Sequence, residues 1–566
     1  MTLVSPALRG STIVEALRLR AADEPAGVAA VLVRPDRADE ILRFSDVLLL
    51  ANHFADYLRT LGETAAGSSP RVVNVCLYHG ATLHAAFIGA MLAGYLPSMI
   101  APPSPRMEKQ KYVDSFTRML AHIEPAFVIT ERAVIDALSE LRPNALSGRR
   151  IVDAALVHAS FDPAARTLAD VRYPEAHEND VALLQHSSGT TGLQKGVALS
   201  HKAVLTQIAR YSAVIELSRD DVIASWLPLY HDMGFIACFI MPLVTGVPVV
   251  EISPFDWVNR PQLLLEAIER HRATFCWLPN FAYVFMSKSI REGHPDLSSI
   301  RAFINCSEPV MASTHRAFAS RFSVPPEKLT ACYAMAENVF AVTQSAMHEA
   351  PRVDRIDRGV FEREHRAQPA PEGGLEFVSN GRPIGEVEVT VVDADGHVIP
   401  ERQVGEICIR GTSLFSGYFG RRDLTEHAFM GDRYKTGDLG YLADGELFVT
   451  GRKKDLIVIQ GRNFYPSDIE AEVSAVDGVI DGRVAAFGES DPETGTEALI
   501  IIAECEVDDA TARARLELAI RKRVAQSFDC TASGVHLVPR QWLIKSTAGK
   551  VARSDNRAKY ERDLKR

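Results

Sequence analysis

The chain has 566 residues, 47% of them hydrophobic and 24% charged, with a formal net charge of −10. That length exceeds one compact core and predicts two to four domains of roughly 100–200 residues each. The acidic balance excludes a broad nucleic-acid surface, which needs Lys and Arg in excess, but not a local phosphate pocket built from backbone donors.

From the N-terminus, residues 11–20 mix Glu15, Arg18 and Arg20 among apolar positions, so the uninterrupted apolar core of a secretory signal does not form. No Asp, Glu, Lys or Arg occurs between Arg71 and Arg106. Asn74, Tyr78, His79, His84, Gly94 and Pro97 divide that stretch into a strand (72–77), a helix (83–92) and a strand (96–100). This predicts a buried βαβ unit and no transmembrane segment. Further strands are predicted at 126–130, 181–185, 247–252 and 273–278, with helices at 234–244 and 263–271. Such alternation predicts parallel sheets covered by helices, with ligands at the carboxyl ends of the strands. Residues 62–70 and 351–374 read as loops, the second charged, Pro-rich and without a period. A basic turn at 451–455 marks a domain boundary. Beyond it, a helix at 467–475, strands at 484–487 and 498–504, a helix at 510–526 and a strand at 535–538 predict a small α+β domain. The eight cysteines form no C-x-x-C pair or Cys/His cluster, so no zinc site is expected. As buried thiols they fit a reducing cytoplasmic location.

The sharpest local feature is His186-Ser187-Ser188-Gly189-Thr190-Thr191-Gly192-Leu193-Gln194-Lys195-Gly196, placed after a predicted strand. Glycines let backbone N–H groups approach phosphate oxygens, hydroxyls donate to them, and Lys195 adds charge. The spacing is not that of a Walker P-loop. By residue types alone the segment is either a phosphate cradle or an ordinary connection.

The segment resembles the signature loop of the adenylate-forming superfamily: acyl-CoA synthetases, luciferases, nonribosomal peptide adenylation domains and fatty acyl-AMP ligases. Other motifs of that superfamily follow in its order. They are Trp226 to Phe235, Asn305-Cys306-Ser307-Glu308-Pro309, Tyr333-Ala334-Met335-Ala336-Glu337, Tyr434 to Gly440, Gly451 to Asp455, and Thr547-Ala548-Gly549-Lys550. Residues 231–234, 279–283 and 461–466, with the stretch 351–374 as an insertion, look most like the fatty acyl-AMP ligase branch. The resemblance implies a large N-terminal domain (1–453) of parallel-rich sheets and helices with a β-barrel-like subdomain. A small mobile α+β domain (454–566) completes the expected α/β fold.

It also implies ATP and Mg²⁺ as cofactors and a role for each matching residue. Adenylation joins two anions, a carboxylate and the α-phosphate, so cations and alignment are needed. Lys550 would bridge the two, and Glu337 would hold Mg²⁺. His231 would orient the carboxylate. ATP would lie on Ser187, Ser188, Gly189, Thr190, Thr191, Gly192 and Lys195. Tyr333 would lie on the adenine, with Ser307, Glu308, Pro309, Ala334 and Met335 near it. Asp438 would take the ribose hydroxyls, Arg452 ribose or phosphate, and Lys454 would be the hinge. Met233, Phe235, Phe281 and Tyr283 would line an acyl tunnel. Taken singly, each has a plainer reading: a core aromatic, a turn Asp, a buried His, or, for Lys550, a solvated basic tail.

The sequence departs from the resembled pattern at His186, Gln194 and Ile544-Lys545. In the resembled branch the acyl group passes from acyl-AMP to a carrier protein's phosphopantetheine thiol. No carrier segment is present in the sequence, so a separate acyl carrier protein is the expected partner. Acyl-CoA synthesis and a non-catalytic acyl or nucleotide sensor are the alternatives.

Overall fold

The computed structural model describes residues 8–62, 71–103, 109–142, 150–186, 195–291, 293, 295–370, 372–459, 462–491, 496–528, 530–546 and 549–565. Two large sheets form its centre. In the seven-stranded sheet the order is Gly417–Tyr418, Gly196–Ser200, Val181–His186, Leu96–Met99, Val72–Cys76, Phe127–Thr130, Ile151–Asp153. The last five run parallel. In the nine-stranded sheet six parallel strands, from Leu329–Ala334 to Val28–Leu32, are flanked by antiparallel edges. Strands such as Val72–Cys76 and Phe275–Leu278 are buried at every position, which is why they read as apolar runs, broken only by Asn74.

The helices explain how the two sheets meet. Ala81–Leu92 is buried from Leu83 to Leu92, as a helix apolar on nearly every side must be, with its one imidazole, His84, paired to Glu251 at 3.0 Å. On one side it approaches the helix Phe44–Leu61 so closely that a Cβ on Gly89 would lie 2.6 Å from the Ala51 carbonyl oxygen. Elsewhere its Phe87 ring meets Phe235 at 5.2 Å and Phe239 at 5.6 Å, edge to face. Those two rings belong to Met233–Ile240, where one helix was expected over 234–244. The structure has a π-helix there, followed by a short α-helix, Met241–Thr245. Among the described residues no helix is long and apolar enough to cross a membrane, including the uncharged stretch after Arg71.

A third, antiparallel sheet of five strands includes the hairpin Arg433–Ala443 and Glu446–Arg452. The smaller C-terminal domain has a three-stranded sheet, Val479–Asp491, Thr496–Cys505 and Ala532–Val538. Its separate core includes Ile469, Val473, Val484, Ile501, Ile520 and Val524.

Residues 351–374 differ from the expected loop. Val353–Ile356 pairs antiparallel with Leu375–Val378, and Arg358–Glu364 is a helix. The strand was invisible to hydrophobic pattern because one of its two inward residues is an acid. Asp354 is buried and accepts hydrogen bonds from Arg402 (3.0 Å) and the Tyr441 hydroxyl (2.9 Å). The helix is held by one apolar anchor, Phe361, and by Asp357, whose carboxylate accepts from the Val360 N–H at its N-terminus.

This helix leans on the C-terminal domain. Glu362 pairs with Arg462, the Arg358 guanidinium lies 4.8 Å above the Phe528 ring, and Phe361 meets Tyr465 at 5.5 Å. At the same junction, burial pushes the Asp468 carboxyl up to about 7, with Arg358 opposing the shift. An ordinary aspartate titrates near ~3.9. As pH rises from about 4 to about 7, the unfolded chain therefore releases a proton that the folded chain keeps, and stability falls. Asp468→Asn is expected to exceed the wild type in urea stability at pH 8. That advantage should shrink to nothing near pH 4; a gap independent of pH would contradict the assignment.

Candidate functional site

The carboxyl ends of strands from both large sheets open on one cleft of about 570 Å³. His186, Trp226, Pro279, Ser307 and Ala334 each follow or end a strand and line it. This is where open α/β sheets place ligands.

Glu337 sits on a tight turn, Ala336–Asn338, just past the strand Leu329–Ala334. The next residue, Val339, has φ 64° and ψ −54°, and the Phe340 N–H donates to the Asn338 carbonyl at 2.7 Å. That is a γ-turn of the strained kind, unusual for a β-branched residue. It is locked by the fully buried Asn338, which donates to the Ala341 carbonyl (2.8 Å) and accepts from the Ser413 hydroxyl (3.0 Å). The Glu337 carboxylate accepts from the Tyr418 hydroxyl at 2.9 Å, and the Lys195 ammonium lies 4.5 Å over the Tyr418 ring. Burial raises the Glu337 carboxyl, while Tyr418 and Lys195 favour its charged form.

On the antiparallel sheet, the hairpin register sets Asp438 opposite Arg452. The Asp438 carboxylate accepts from the Tyr333 hydroxyl at 2.6 Å and lies 3.4 Å from the Arg452 guanidinium. Burial and this carboxylate push the Tyr333 phenol well up, so it stays a donor. Three elements from two sheets thus converge on one carboxylate.

Lys550 reaches the cleft from the C-terminal domain. Its ammonium donates to the carbonyl of Ser307, a residue in the left-handed region at φ 70°. Burial, aided by the Lys550 charge, holds the His231 imidazole down to about 3, so the ring is neutral at pH 7. The neighbouring Asp232 carboxyl is raised by burial, against the pull of Lys550.

Of the residues singled out from sequence, Lys195, His231, Met233, Ser307, Ala334, Met335, Glu337, Asp438, Arg452, Lys454 and Lys550 line this cleft. Tyr333 stands behind Asp438. Ser187, Ser188, Gly189, Thr190, Thr191 and Gly192 lie outside the described residues. Glu308 accepts from the Phe281 N–H (2.8 Å) at the start of the helix Asn280–Ser289, and Pro309 is exposed. Phe235 and Tyr283 are fully packed in the core, Tyr283 against His315 and Phe318. Phe281 lies against Gly549 of the Lys550 loop. Of the four residues expected around an acyl tunnel, only Met233 lines the cleft.

Sequence reasoning did not single out Asp232, Tyr418, Tyr434 or Lys453, which also line it. Asp232, Tyr434 and Lys453 stand inside the superfamily motifs, whereas Tyr418 carries no signal beyond the glycine before it. Among the described lining residues, five cations face three carboxylates, an excess opposite in sign to the whole chain. Such a cleft attracts a polyanion. The only grouping of three metal-capable side chains among the described residues is Asp393, Asp395 and His397, which are exposed and do not line the cleft.

Parallel sheets ending on a cationic cleft, with a lysine delivered by a small second domain, define the architecture of an adenylate-forming enzyme. A family profile for AMP-binding enzymes matches residues 17–419, and the chain belongs to that family. It is similar to "Putative ligase Rv1013" of Mycobacterium tuberculosis, 30% identical over 81% of this chain and 84% of that one. It is 27% identical to "Long-chain-fatty-acid--AMP ligase FadD26" of Mycobacterium marinum, over 94% and 93%. A solved structure from "Structural and Functional Studies of Fatty Acyl-Adenylate Ligases from E. coli and L. pneumophila" superposes with a TM-score of 0.87. It has 28% identity and covers 99% of both chains.

The Lys550–His231 proximity can be read directly. In Lys550→Ala the His231 pKa should rise from about 3 yet stay below the ordinary ~6.5, because burial remains. An imidazole NMR titration would check this; an unmoved value would mean that Lys550 does not reach the ring.

Proposed function

We propose that this protein uses ATP to activate a fatty acid as acyl-adenylate, releasing pyrophosphate, and then passes the acyl group to the phosphopantetheine thiol of a separate acyl carrier protein. The observation carrying this reading is the convergence of Lys550, His231, Glu337 and the Asp438–Arg452 pair on one cleft. The similarity to fatty acyl-adenylate ligases supports the substrate class.

In this mechanism Lys550 lies between the fatty carboxylate and the α-phosphate and offsets their repulsion as they approach. Neutral His231 donates a ring N–H to the carboxylate and orients it. One carboxylate oxygen attacks the α-phosphorus, the new O–P bond forms, and the bond to the β-phosphate oxygen breaks with pyrophosphate leaving. Asp438 retains lone pairs for two ribose hydroxyls, because Tyr333 and Arg452 occupy only part of its acceptor capacity. Arg452 faces ribose or phosphate. Tyr333 directs its hydroxyl to Asp438, and the adenine lies along Ser307, Ala334 and Met335, which line the cleft. Glu337 fits Mg²⁺: one cleft-lining carboxylate, with remaining ligands supplied by phosphates and water, is the donor set this ion uses. Bound there, the ion would neutralise phosphate charge. Lys454, in the short turn Lys453–Asp455, is the hinge between residues 1–453 and 454–566. The helix Arg358–Glu364, resting on Phe528, Arg462 and Tyr465, restrains the rotation that coenzyme A would require.

The test mixes the protein with ATP, Mg²⁺, fatty acids of graded length, coenzyme A and a holo-carrier protein, with products read by mass spectrometry. Acyl-adenylate and acyl-carrier without acyl-CoA is the expected result. Efficient acyl-CoA formation would overturn the carrier assignment, and absence of any adenylate would overturn the whole reading. Lys550→Ala is expected to lose on the order of 10²-fold or more in adenylation rate with ATP binding retained. In contrast, Asp438→Ala should mainly weaken ATP binding in equilibrium titration. A wild-type rate in the first variant would remove Lys550 from the chemical step, and wild-type ATP affinity in the second would remove Asp438 from the ribose.

A further inference from the structure

His186 ends the strand Val181–His186 and stands opposite Gly196 in the antiparallel pairing. His186 and Lys195, the described residues on either side of the Gly/Ser/Thr segment, both line the cleft. His186 lines the cleft, yet it is only 5% exposed. Its Nε2 lies 2.6 Å from the hydroxyl of Ser98, itself fully buried on Leu96–Met99, the next strand of the sheet. Its Nδ1 is buried and has no hydrogen-bond partner among the described residues.

An imidazole nitrogen left so costs free energy unless something else satisfies it. When the Ser98 hydroxyl donates to Nε2, Nδ1 carries the ring proton and becomes a donor. A donor at this point, on the cleft that Lys195 also lines, suits a phosphate oxygen. Lys195 in turn lies over Tyr418, whose hydroxyl meets Glu337, whereas the Asp438–Arg452 pair belongs to the antiparallel hairpin.

We infer that His186 is a binding residue for the pyrophosphate end of ATP, donating from Nδ1–H, and that Ser98 sets its tautomer. The inference rests on the reading of the cleft as an ATP site. Burial, with a contribution from His122, holds the imidazole down to about 4. His186 therefore acts as a neutral donor, not as a further cation. This distinguishes it from Lys195: it adds direction without adding charge, and it releases the product as the oxygen withdraws.

The test measures binding of inorganic pyrophosphate with Mg²⁺ by calorimetry, on wild type, His186→Phe, His186→Asn and Ser98→Ala. His186→Phe keeps a ring without a donor and should bind about 10-fold more weakly. His186→Asn places an amide N–H where Nδ1–H stood and should stay within about 3-fold of wild type. Ser98→Ala, which frees the tautomer, should lose roughly 2- to 5-fold and raise KM for ATP while KM for the acid is unchanged. Should His186→Phe not fold, the Ser98→Ala result and the Nδ1 NMR shift of the wild type on adding pyrophosphate decide the matter. Equal pyrophosphate affinity in His186→Phe, or an unmoved Nδ1 signal at saturation, would overturn the inference while leaving the ATP reading intact. Failure of the wild type to bind either ATP or pyrophosphate would overturn both.

Discussion

Asp438 is where the subdomains are tied together. Its carboxylate holds a phenol from the nine-stranded sheet and a guanidinium from the opposite strand of its own hairpin. Without it, Tyr333 would be a buried hydroxyl short of an acceptor, and Arg452 would stand uncompensated near the cleft's other cations. Two unit charges 4 Å apart interact by on the order of 4 kcal/mol at a partly buried site. The cleft can therefore gather its five cations only because three carboxylates are set among them. The cation excess left over is what a triphosphate would meet.

Around that charge arrangement the backbone accepts strain. Val339 in its γ-turn costs about 1–3 kcal/mol. Its own fully buried side chain returns about 1.5–3 kcal/mol. The two bonds of the Asn338 amide add about 1 kcal/mol each. The turn is thus over-determined by its surroundings, and Glu337 is aimed by them. Ser307 is the second case, a left-handed residue whose carbonyl meets Lys550. At both places the strained residue stands beside a group that faces the cleft.

The packing elements were legible where burial is two-sided. Val72–Cys76, Ala81–Leu92 and Phe275–Leu278 are apolar at nearly every position because water reaches neither face. The strand Val353–Ile356 was not legible, since Asp354 faces inward and is satisfied by Arg402 and Tyr441 from distant parts of the chain. The π-helix at Met233–Ile240 was likewise out of reach, because a window of apolar residues carries no mark of its hydrogen-bond step. Phe235 and Tyr283 illustrate the same limit for site residues. Aromatic side chains look alike in sequence whether they line a cleft or fill a core, and here they fill the core.

By itself the sequence determined the alternation of strand and helix, the two-domain division and the candidate residues that carry charge. Those follow from local pattern and residue chemistry, which distance along the chain does not obscure. Tertiary structure decided which of them meet. The hairpin register sets Asp438 across from Arg452, the small domain brings Lys550 to Ser307, and the seven-stranded sheet seats His186 against Ser98. Tyr418 joins Lys195 and Glu337 only because Gly417–Tyr418 pairs with the strand Gly196–Ser200, far earlier in the chain. Contacts of that separation depend on sheet order and crossover, and no local pattern encodes them.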